Sequence, residues 1–147
     1  LMITNWLDGK PFPLYGDGLN VRDWVHVTDH CRAVDLVLRK GVPGEVYNVG
    51  GTASLTNNKL VEAVRAIMGV DASLVTPVAD RKAHDRRYAV DCTKLWRMGF
   101  RHEKTFEAAM RATVAWYRDN AWWWRPLKNR GDVKTYYKKN YAGRGRA

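Results

Sequence analysis

The sequence predicts a small mixed α/β domain. Short runs rich in β-branched and aromatic residues alternate with longer segments whose apolar residues recur at helical spacing. These runs are too few and too short to build a full doubly wound sheet. A chain of 147 residues, of which 46% are apolar and 27% charged, can bury one core and has the composition of a folded domain.

The first predicted elements are the end of a helix and two strands. Residues 1–10 have the pattern of the end of an amphipathic helix, so we expect the natural chain to begin upstream. Two prolines and two glycines in residues 10–20 predict a loop around a short strand at 13–15. The run 21–27 is β-branched and aromatic and predicts the next strand.

A helix is predicted to follow, from Asp29 to about Lys40. Thr28 is the expected N-cap, and Gly41 fits the position after the helix at which a left-handed glycine is common. The apolar side of this helix is expected to consist of Ala33, Val34, Leu36 and Val37.

The middle of the chain is predicted to contain a strand, a helix and a further strand. The run 45–51 is β-branched and aromatic and ends in two glycines, which favours a strand. Thr56 or Asn57 can cap the helix that follows, and Gly69 is expected to end it. The run 73–78 predicts another short strand.

The last predicted elements are a strand-like run at 86–93 and a helix from Thr105 to about Tyr117. This helix is expected to direct inward Phe106, Ala109, Met110, Val114 and either Trp116 or Tyr117.

The C-terminal tail is basic and aromatic. Residues 125–147 hold eight Lys or Arg and one Asp, so +7 of the net charge of +10 lies there, and we divide the chain into a domain, 1–124, and this tail. A solvated extension explains such a tail, whereas stacking and phosphate contacts with nucleic acid are the alternative. We expect the tryptophans at 122–124 to pack on the domain, which makes nucleic acid an unlikely partner.

Composition and cysteine spacing indicate a cytoplasmic protein. The sequence has no run of 18 apolar residues and no visible signal-peptide pattern, so no membrane partner is expected. Cys31 and Cys92 belong to no metal-ligand or redox motif. We expect both to be buried thiols in a reducing compartment, and we expect no metal site.

The sequence carries no self-contained catalytic signature. It has no glycine-rich dinucleotide fingerprint, no phosphate-binding P-loop, no Tyr-xxx-Lys pair, no GxSxG and no HExxH. We therefore predict no catalytic and no cofactor-binding residue within this chain.

Two polar segments could each meet an anion. In YGDG and VRDW, residues 15–24, the planar guanidinium of Arg22 suits a bidentate phosphate contact, although a surface ion pair with Asp17 or Asp23 is the alternative. In SLTNN, residues 54–58, a helix start offers N–H groups, although ordinary N-capping explains it equally.

A third polar segment, DRKAHDRRY at residues 80–88, holds four Lys or Arg, one His and two Asp. A solvated loop explains it when it is taken alone. Because each of the three segments follows a short predicted strand, they could also converge on one diphosphate.

At this point the chain resembles a known family. Five of its segments resemble sequences of the dTDP-glucose 4,6-dehydratases, which belong to the extended short-chain dehydrogenase/reductase superfamily. These segments are YGDGLNVRDWVHVTDHCRAVDLVL, GEVYNVGG, TNNKLVEAV, DRKAHDRRYAVDCTKL and TVAWYRDNAWWWRPLK. The resemblance covers nearly the whole chain but only the C-terminal part of the enzyme. It implies a small mixed α/β substrate-binding subdomain without the Rossmann half.

The resemblance also implies a reaction and its partners. The family converts dTDP-glucose to dTDP-4-keto-6-deoxyglucose and water with a tightly held NAD, which the Rossmann half binds beside the catalytic Tyr and Lys. We expect no NAD in this chain, no catalysis by it in isolation, and possible dependence on a separate or missing Rossmann half. The family is homodimeric, but its dimer contacts lie mainly in that half.

The substrate contacts that the resemblance implies fall in the three polar segments and just before them. Arg22 and Arg81 correspond to phosphate partners, and Tyr88 is a weaker candidate near the base. The family usually has Pro-Gly where this chain has Lys82-Ala83, so we expect this loop to be looser or differently placed here. The implied substrate-binding residues are Pro13, Leu14, Tyr15, Arg22, Asn57, Asp80, Arg81, Lys82, Ala83 and His84.

Two alternatives remain open at the level of sequence. One is a UDP- or CDP-sugar epimerase or dehydratase with the same architecture. The other is a non-catalytic module that binds nucleotides or nucleic acid.

Overall fold

The structure is a computed structural model and describes residues 1–141 of the chain. Helices and short strands alternate, which confirms the predicted mixed α/β class. In chain order the elements are α1 (Met2–Leu7), β1 (Phe12–Tyr15), β2 (Val21–Trp24), α2 (Val27–Lys40), β3 (Ala53–Thr56), α3 (Asn57–Met68), β4 (Val75–Val78), α4 (Thr93–Arg97), α5 (Phe106–Asp119), α6 (Ala121–Lys128) and α7 (Gly131–Tyr141).

The described strands form two pairs. Strands β1 and β4 are parallel, with Tyr15 opposite Val78. Strands β2 and β3 are antiparallel, with Val21 opposite Thr56. Each pair therefore brings together segments that are distant in sequence.

Helix α2 differs from its prediction at both ends. Its N-cap is His26 rather than Thr28, because the His26 ring accepts a hydrogen bond from the Thr28 N–H at 3.3 Å. Gly41 is extended, with φ −71°, and not left-handed. Glycine still suits this position, because a Cβ there would lie 2.4 Å from the carbonyl oxygen of Val37. On the predicted apolar side, Val34 is 51% exposed.

The strand predicted at 45–51 is wrong. This run is irregular, and side chains rather than a neighbouring strand satisfy part of its backbone. The N–H of Gly50 lies 2.9 Å from Sγ of Cys92, and the N–H of Gly51 donates to Asp23 Oδ2 at 2.9 Å. The strand-like run at 86–93 is also wrong, since only a single bridge between Arg87 and Val21 forms there.

Helices α3 and α5 follow their predictions closely. The Thr56 hydroxyl caps α3 and the left-handed Gly69 ends it, with φ 69°. The Thr105 hydroxyl caps α5 in the same way, and Val114 of α5 is 1% exposed. Trp116, one of the two alternatives for the inward side of α5, is 44% exposed.

The main core lies where α1, α3 and α5 meet. Its buried side chains are Trp6, Leu60, Val61, Val64 and Val114, and apolar side chains of β1 and β4 pack against them. A second cluster joins α2 to the segment around α4 through Ala33, Leu95 and Phe100. The main core fixes the position of α3, whose first residues belong to the candidate site.

Two expectations about burial are corrected. Cys92 is buried, as predicted, but Cys31 is exposed, because it lies on the outer side of α2. Of the tryptophans at 122–124, Trp124 is buried in the domain at 4% exposure and Trp123, 47% exposed, packs edge-on against Trp116 with ring centres 5.3 Å apart, whereas Trp122 is 72% exposed. Helix α6 runs across the predicted boundary after residue 124, and the division into domain and tail stays a prediction.

Candidate functional site

The parallel pair β1–β4 places two polar loops side by side. Because parallel strands end at the same edge, the glycine loop after Tyr15 lies beside the segment after Val78. The N–H of Gly16 donates to the carbonyl oxygen of Val78 at 2.9 Å. A Cβ on Gly16 would meet Asp80 Oδ2 at 2.8 Å, so the two loops are in close contact.

The antiparallel pair β2–β3 brings the start of α3 to the same place. The N–H of Asn57 donates to the carbonyl oxygen of Asn20 at 3.0 Å, and the N–H of Asn58 donates to that of Gly18 at 2.9 Å. The third N–H of the helix, that of Lys59, donates to the Thr56 hydroxyl at 3.3 Å. The first backbone donors of α3 are therefore already used inside the protein.

The segment 85–88 completes the arrangement by lying along the start of β2. The Val21 N–H donates to the Arg86 carbonyl oxygen at 2.8 Å, and the Tyr88 N–H donates to the Val21 carbonyl oxygen at 3.1 Å. Buried Asn20 donates through Nδ2 to the Asp85 carbonyl oxygen at 3.2 Å. The three predicted polar segments therefore converge, and a diphosphate bound between them stays a prediction.

Arg22 is held by the segment after β4 and not by the acidic residues beside it. Its Nη2 lies 2.9 Å from Nε2 of His84 and donates to the Asp85 carbonyl oxygen at 3.0 Å. Its Nη1 donates to the Val21 carbonyl oxygen at 2.7 Å, and its guanidinium lies 4.4 Å from the Tyr88 ring centre. The two ion pairs considered from the sequence are wrong.

The two acidic residues that could have paired with Arg22 have other partners. Asp17 accepts two hydrogen bonds from Nη1 of Arg86, at 2.9 and 3.0 Å. The Leu19 N–H and the Arg86 guanidinium hold the pKa of Asp17 below its ordinary value. Asp23 accepts from the Gly51 N–H. Arg86 thus anchors the loop through Asp17.

Arg81 and His84 occupy different environments. Arg81 is exposed, and its guanidinium carbon lies 5.4 Å from the ring centre of Tyr15. The His84 side chain is only 6% exposed, and its Nδ1 lies 2.6 Å from Asp80 Oδ1. Arg81 can therefore reach an anion in solvent, whereas His84 acts on its protein neighbours.

The backbone at Lys82-Ala83 adopts an unusual conformation at its second residue. Ala83 has φ 53° and is the only non-glycine residue with a positive φ in the described part of the chain. A left-handed conformation costs an L-residue with a Cβ roughly 1–2 kcal/mol. Lys82 and Ala83 are both exposed. At residue 83 the loop therefore has a conformation that suits glycine better than alanine.

A cavity of about 420 Å³ borders two of the three segments, through Tyr15 and Trp24 of the first and Asn57 of the second. Pro13, Leu14 and Tyr15 of β1 lie on one side of it and Asn57 on another. Most of the remaining lining is apolar, and a cavity of this size is typical of small-molecule sites. Among the described residues, neither the buried Trp24 Nε1–H beside this cavity nor the Asn57 side chain has a hydrogen-bond partner in the protein.

Sequence reasoning missed two residues that hold the site together. Asn20 is 1% exposed and links β2 to the segment after β4. Asn58 donates through Nδ2 to the Asp17 carbonyl oxygen at 2.9 Å and links α3 to the glycine loop. Asn20 lies between Leu19 and Val21, Asn58 follows Asn57, and no motif distinguishes either from an ordinary loop residue.

The glycine loop does not fit a dinucleotide such as NAD. In dinucleotide-binding folds the glycine-rich turn leads from a strand into a helix, whose N-terminus holds the pyrophosphate. Here Gly16 and Gly18 lie between strands β1 and β2, and no helix follows them directly.

Within residues 1–141, no three His, Cys, Asp or Glu side chains form a group that could hold a metal ion. Over the same residues, no helix has the length and apolar character to cross a membrane.

Comparison with known proteins shows what this chain is similar to. Residues 1–50 match the model of the NAD dependent epimerase/dehydratase family. The chain is 54% identical over 131 residues to a dTDP-glucose 4,6-dehydratase of Streptomyces antibioticus, and the match covers 88% of the chain. It is 40% identical over 152 residues to the dTDP-glucose 4,6-dehydratase of Salmonella typhimurium. The chain spans only 39% and 42%, respectively, of the length of these relatives.

Solved structures give the same result. A dTDP-glucose 4,6-dehydratase from Streptomyces venezuelae, with NAD and TYD bound, matches 86% of the chain at 50% identity and a TM-score of 0.83. A UDP-glucose 4-epimerase from Thermotoga maritima, with UDP-glucose, matches 82% at 31% identity and a TM-score of 0.75. The chain covers 40% and 38% of these two structures, respectively.

Proposed function

We propose, from the premise that this chain is a homologue of the dTDP-glucose 4,6-dehydratases, that it is the nucleotide-sugar-binding part of such an enzyme. In this role it holds the dTDP end of dTDP-glucose. The observation that carries the proposal is that Tyr15 and Asn57 line one apolar cavity while Arg81 lies over the Tyr15 ring, and that Arg22 is bound to His84 of the same loop as Arg81. Cations and amides at the mouth of an apolar cavity suit a ligand with a charged diphosphate and a flat base.

The three residues are proposed to act in different ways. Arg81 is exposed and provides the charge-assisted contact with the diphosphate. Arg22 provides a second cation, which the protein already holds in position. Asn57 contributes its side-chain amide, because its backbone N–H donates to Asn20. The positive end of the α3 dipole adds to the attraction for an anion.

The remaining carried-over residues have supporting roles in this proposal. Tyr15 provides a ring beside Arg81, and Pro13 and Leu14 line the apolar cavity. Asp80 and His84 order the loop after β4. Lys82 extends from the loop as an exposed cation, and Ala83 sets the loop's conformation.

The chemistry of dehydration is proposed to belong to the rest of the enzyme. NAD, held by the Rossmann half that the resemblance implies, would supply the hydride transfers of that reaction. In this proposal the described residues bind and orient the nucleotide, and the acid–base groups of the reaction come from the rest of the enzyme. We therefore expect no turnover of dTDP-glucose by this chain alone, and a partner that carries the NAD site is proposed to complete the enzyme.

Similarity to the UDP-glucose 4-epimerase raises the question of which base the site prefers. The identity to dTDP-glucose 4,6-dehydratases, 40–54%, exceeds the 31% identity to that epimerase, which favours thymine. Titration of the chain with dTDP, UDP and CDP in parallel tests the choice. We expect the tightest binding for dTDP; equal or tighter binding of UDP or CDP would contradict the proposal.

A further inference from the structure

Three side chains beside the candidate site form a hydrogen-bonded row. Asp80 Oδ1 lies 2.6 Å from Nδ1 of His84, and Nε2 of the same ring lies 2.9 Å from Nη2 of Arg22. The His84 side chain is 6% exposed, so water has little access to either ring nitrogen. The row joins the loop after β4 to strand β2.

The chemistry of the two outer groups fixes the proton on the middle one. A guanidinium can only donate hydrogen bonds, so Nε2 of His84 must accept and cannot carry a proton. An ionised carboxylate can only accept, so Nδ1 of His84 must carry the proton and donate. Both distances are therefore satisfied together only by a neutral ring in the Nδ1–H form.

The other groups around His84 are consistent with a neutral ring. Tyr15 of β1 lies edge-on to the imidazole, with ring centres 6.3 Å apart. Asp80 also accepts a hydrogen bond from the Arg81 N–H at 2.8 Å. The His84 hydrogen bond and this backbone N–H hold the pKa of Asp80 below its ordinary value, which keeps the carboxylate ionised and able to accept. A protonated His84 would instead direct a second N–H at the Arg22 cation.

We propose that Asp80 and His84 are positioning residues, which hold the Arg22 guanidinium in place through the neutral Nδ1–H form of His84. Contacts with His84, Asp85 and Val21 use three of the guanidinium hydrogens. Within the described part of the chain, the Nε–H and one Nη1–H of Arg22 have no partner and remain for an anion. That this anion is the diphosphate of a nucleotide sugar rests on the proposed function.

Nuclear magnetic resonance of the chain without nucleotide tests the positioning directly. Long-range proton–nitrogen spectra of histidine distinguish Nδ1–H, Nε2–H and doubly protonated rings, and the signals missing from a His84→Asn variant assign residue 84. At about pH 7.5 we expect His84 to be neutral and protonated at Nδ1. A ring protonated at Nε2, alone or together with Nδ1, would overturn the proposal.

Two substitutions separate the two bonds of His84. His84→Gln can keep an acceptor for Arg22, whereas His84→Asn keeps a donor for Asp80 but has no group that reaches Arg22. We expect separate, slowly exchanging guanidinium proton signals of Arg22 in the wild type and in His84→Gln, and their loss in His84→Asn. Equal signals in the two variants would contradict a positioning role, and neither outcome depends on whether the chain binds dTDP.

A titration with dTDP then links the positioning to the proposed function. If both hold, dTDP binds several-fold more weakly to His84→Asn than to His84→Gln. If no form of the chain binds dTDP while the Nδ1–H ring and the ordered Arg22 are observed, the proposed function fails and the positioning stands. If dTDP binds both variants equally while Arg22 is ordered in only one of them, positioning has no part in nucleotide binding.

Discussion

The guanidinium carbon of Arg81 lies 5.4 Å from the centre of the Tyr15 ring. The two residues meet because Tyr15 ends β1 and Arg81 follows β4, and these strands are parallel. The ring restricts the positions of an exposed cation while its N–H donors still point outward. A diphosphate that reaches this edge therefore meets an arginine that is already partly ordered.

Replacing the Tyr15 ring should weaken binding of dTDP. An exposed cation–π contact contributes about 0.5–1 kcal/mol, so Tyr15→Leu is expected to raise the Kd for dTDP roughly 2–5-fold. Tyr15→Phe keeps the ring and should stay within about 2-fold of the wild type. Isothermal titration of both variants makes the comparison, and equal losses in the two would show that the ring does not act through Arg81.

Restoring glycine at residue 83 should stabilise the chain. Ala83 has φ 53°, a conformation that costs an L-residue with a Cβ roughly 1–2 kcal/mol, and glycine adopts it without that cost. After the larger entropy of glycine in the unfolded chain is subtracted, Ala83→Gly is expected to raise the free energy of unfolding by about 0.5–1 kcal/mol.

A matched control for residue 83 lies six residues away. Ala89 is exposed and has no positive φ, so Ala89→Gly should lower the free energy of unfolding by up to about 1 kcal/mol. Urea unfolding of both variants gives the comparison. A loss of stability in Ala83→Gly as large as that in Ala89→Gly would mean that the loop does not adopt this conformation.

A methyl group at residue 51 should disrupt the β2–β3 pair. A Cβ on Gly51 would lie 1.8 Å from the carbonyl oxygen of Trp24, which is backbone and cannot turn away. We expect Gly51→Ala to lower the free energy of unfolding by about 3 kcal/mol or more. In the control Gly131→Ala the added Cβ meets no atom within 4 Å, and stability should be unchanged or slightly higher. Similar urea midpoints for the two variants would contradict this packing.

Asp29 should make stability depend on acid. Its side chain is 1% exposed and accepts hydrogen bonds from Arg32 at 3.0 Å and the Glu103 N–H at 3.1 Å. Burial raises the pKa of Asp29, but these hydrogen bonds and a third from the Lys104 N–H lower the pKa by more than burial raises it. The pKa of Asp29 in the folded chain is therefore below its ordinary value. Because the folded pKa is the lower one, this stabilisation is complete above the unfolded pKa of about 3.9 and is lost as the pH falls below it.

The variant Asp29→Asn tests this dependence. We expect it to be about 1–3 kcal/mol less stable than the wild type near pH 7, since it loses the charge that Arg32 and the backbone donors face. The difference should shrink near pH 3, because the unfolded wild-type chain then binds a proton at this carboxyl group more readily than the folded chain does. Urea unfolding at both pH values measures it, and a constant difference would rule out the carboxylate as the cause.

Local sequence patterns predicted much of the fold. Thr56, Gly69 and Thr105 mark helix ends by mechanisms that act within a few residues; Gly69 and Thr105 were predicted outright, and Thr56 was one of two alternatives. The run 45–51 was not, because its partners are side chains of Asp23 and Cys92, which are distant in sequence. An apolar and aromatic composition favours an extended backbone but does not supply a neighbouring strand.

The candidate site was predictable in outline but not in its contacts. The three polar segments each follow a short predicted strand, and that was enough to expect them together. The partners of Arg22 were missed because His84 lies 62 residues away, and a neighbouring aspartate is the simpler expectation from sequence alone. The use of the first N–H groups of α3 by Asn20 and Gly18 was likewise invisible, because it depends on how β2 and β3 pair.

The most direct test of the central claim is the affinity of dTDP for Arg81→Ala. A charge-assisted contact with a phosphate contributes about 1.5–3 kcal/mol, so isothermal titration should show binding roughly 10–150-fold weaker than for the wild type. Arg97→Ala removes an exposed arginine from α4, outside the site, and should bind dTDP as the wild type does. An unchanged affinity in Arg81→Ala, in a chain that otherwise binds dTDP, would contradict the account.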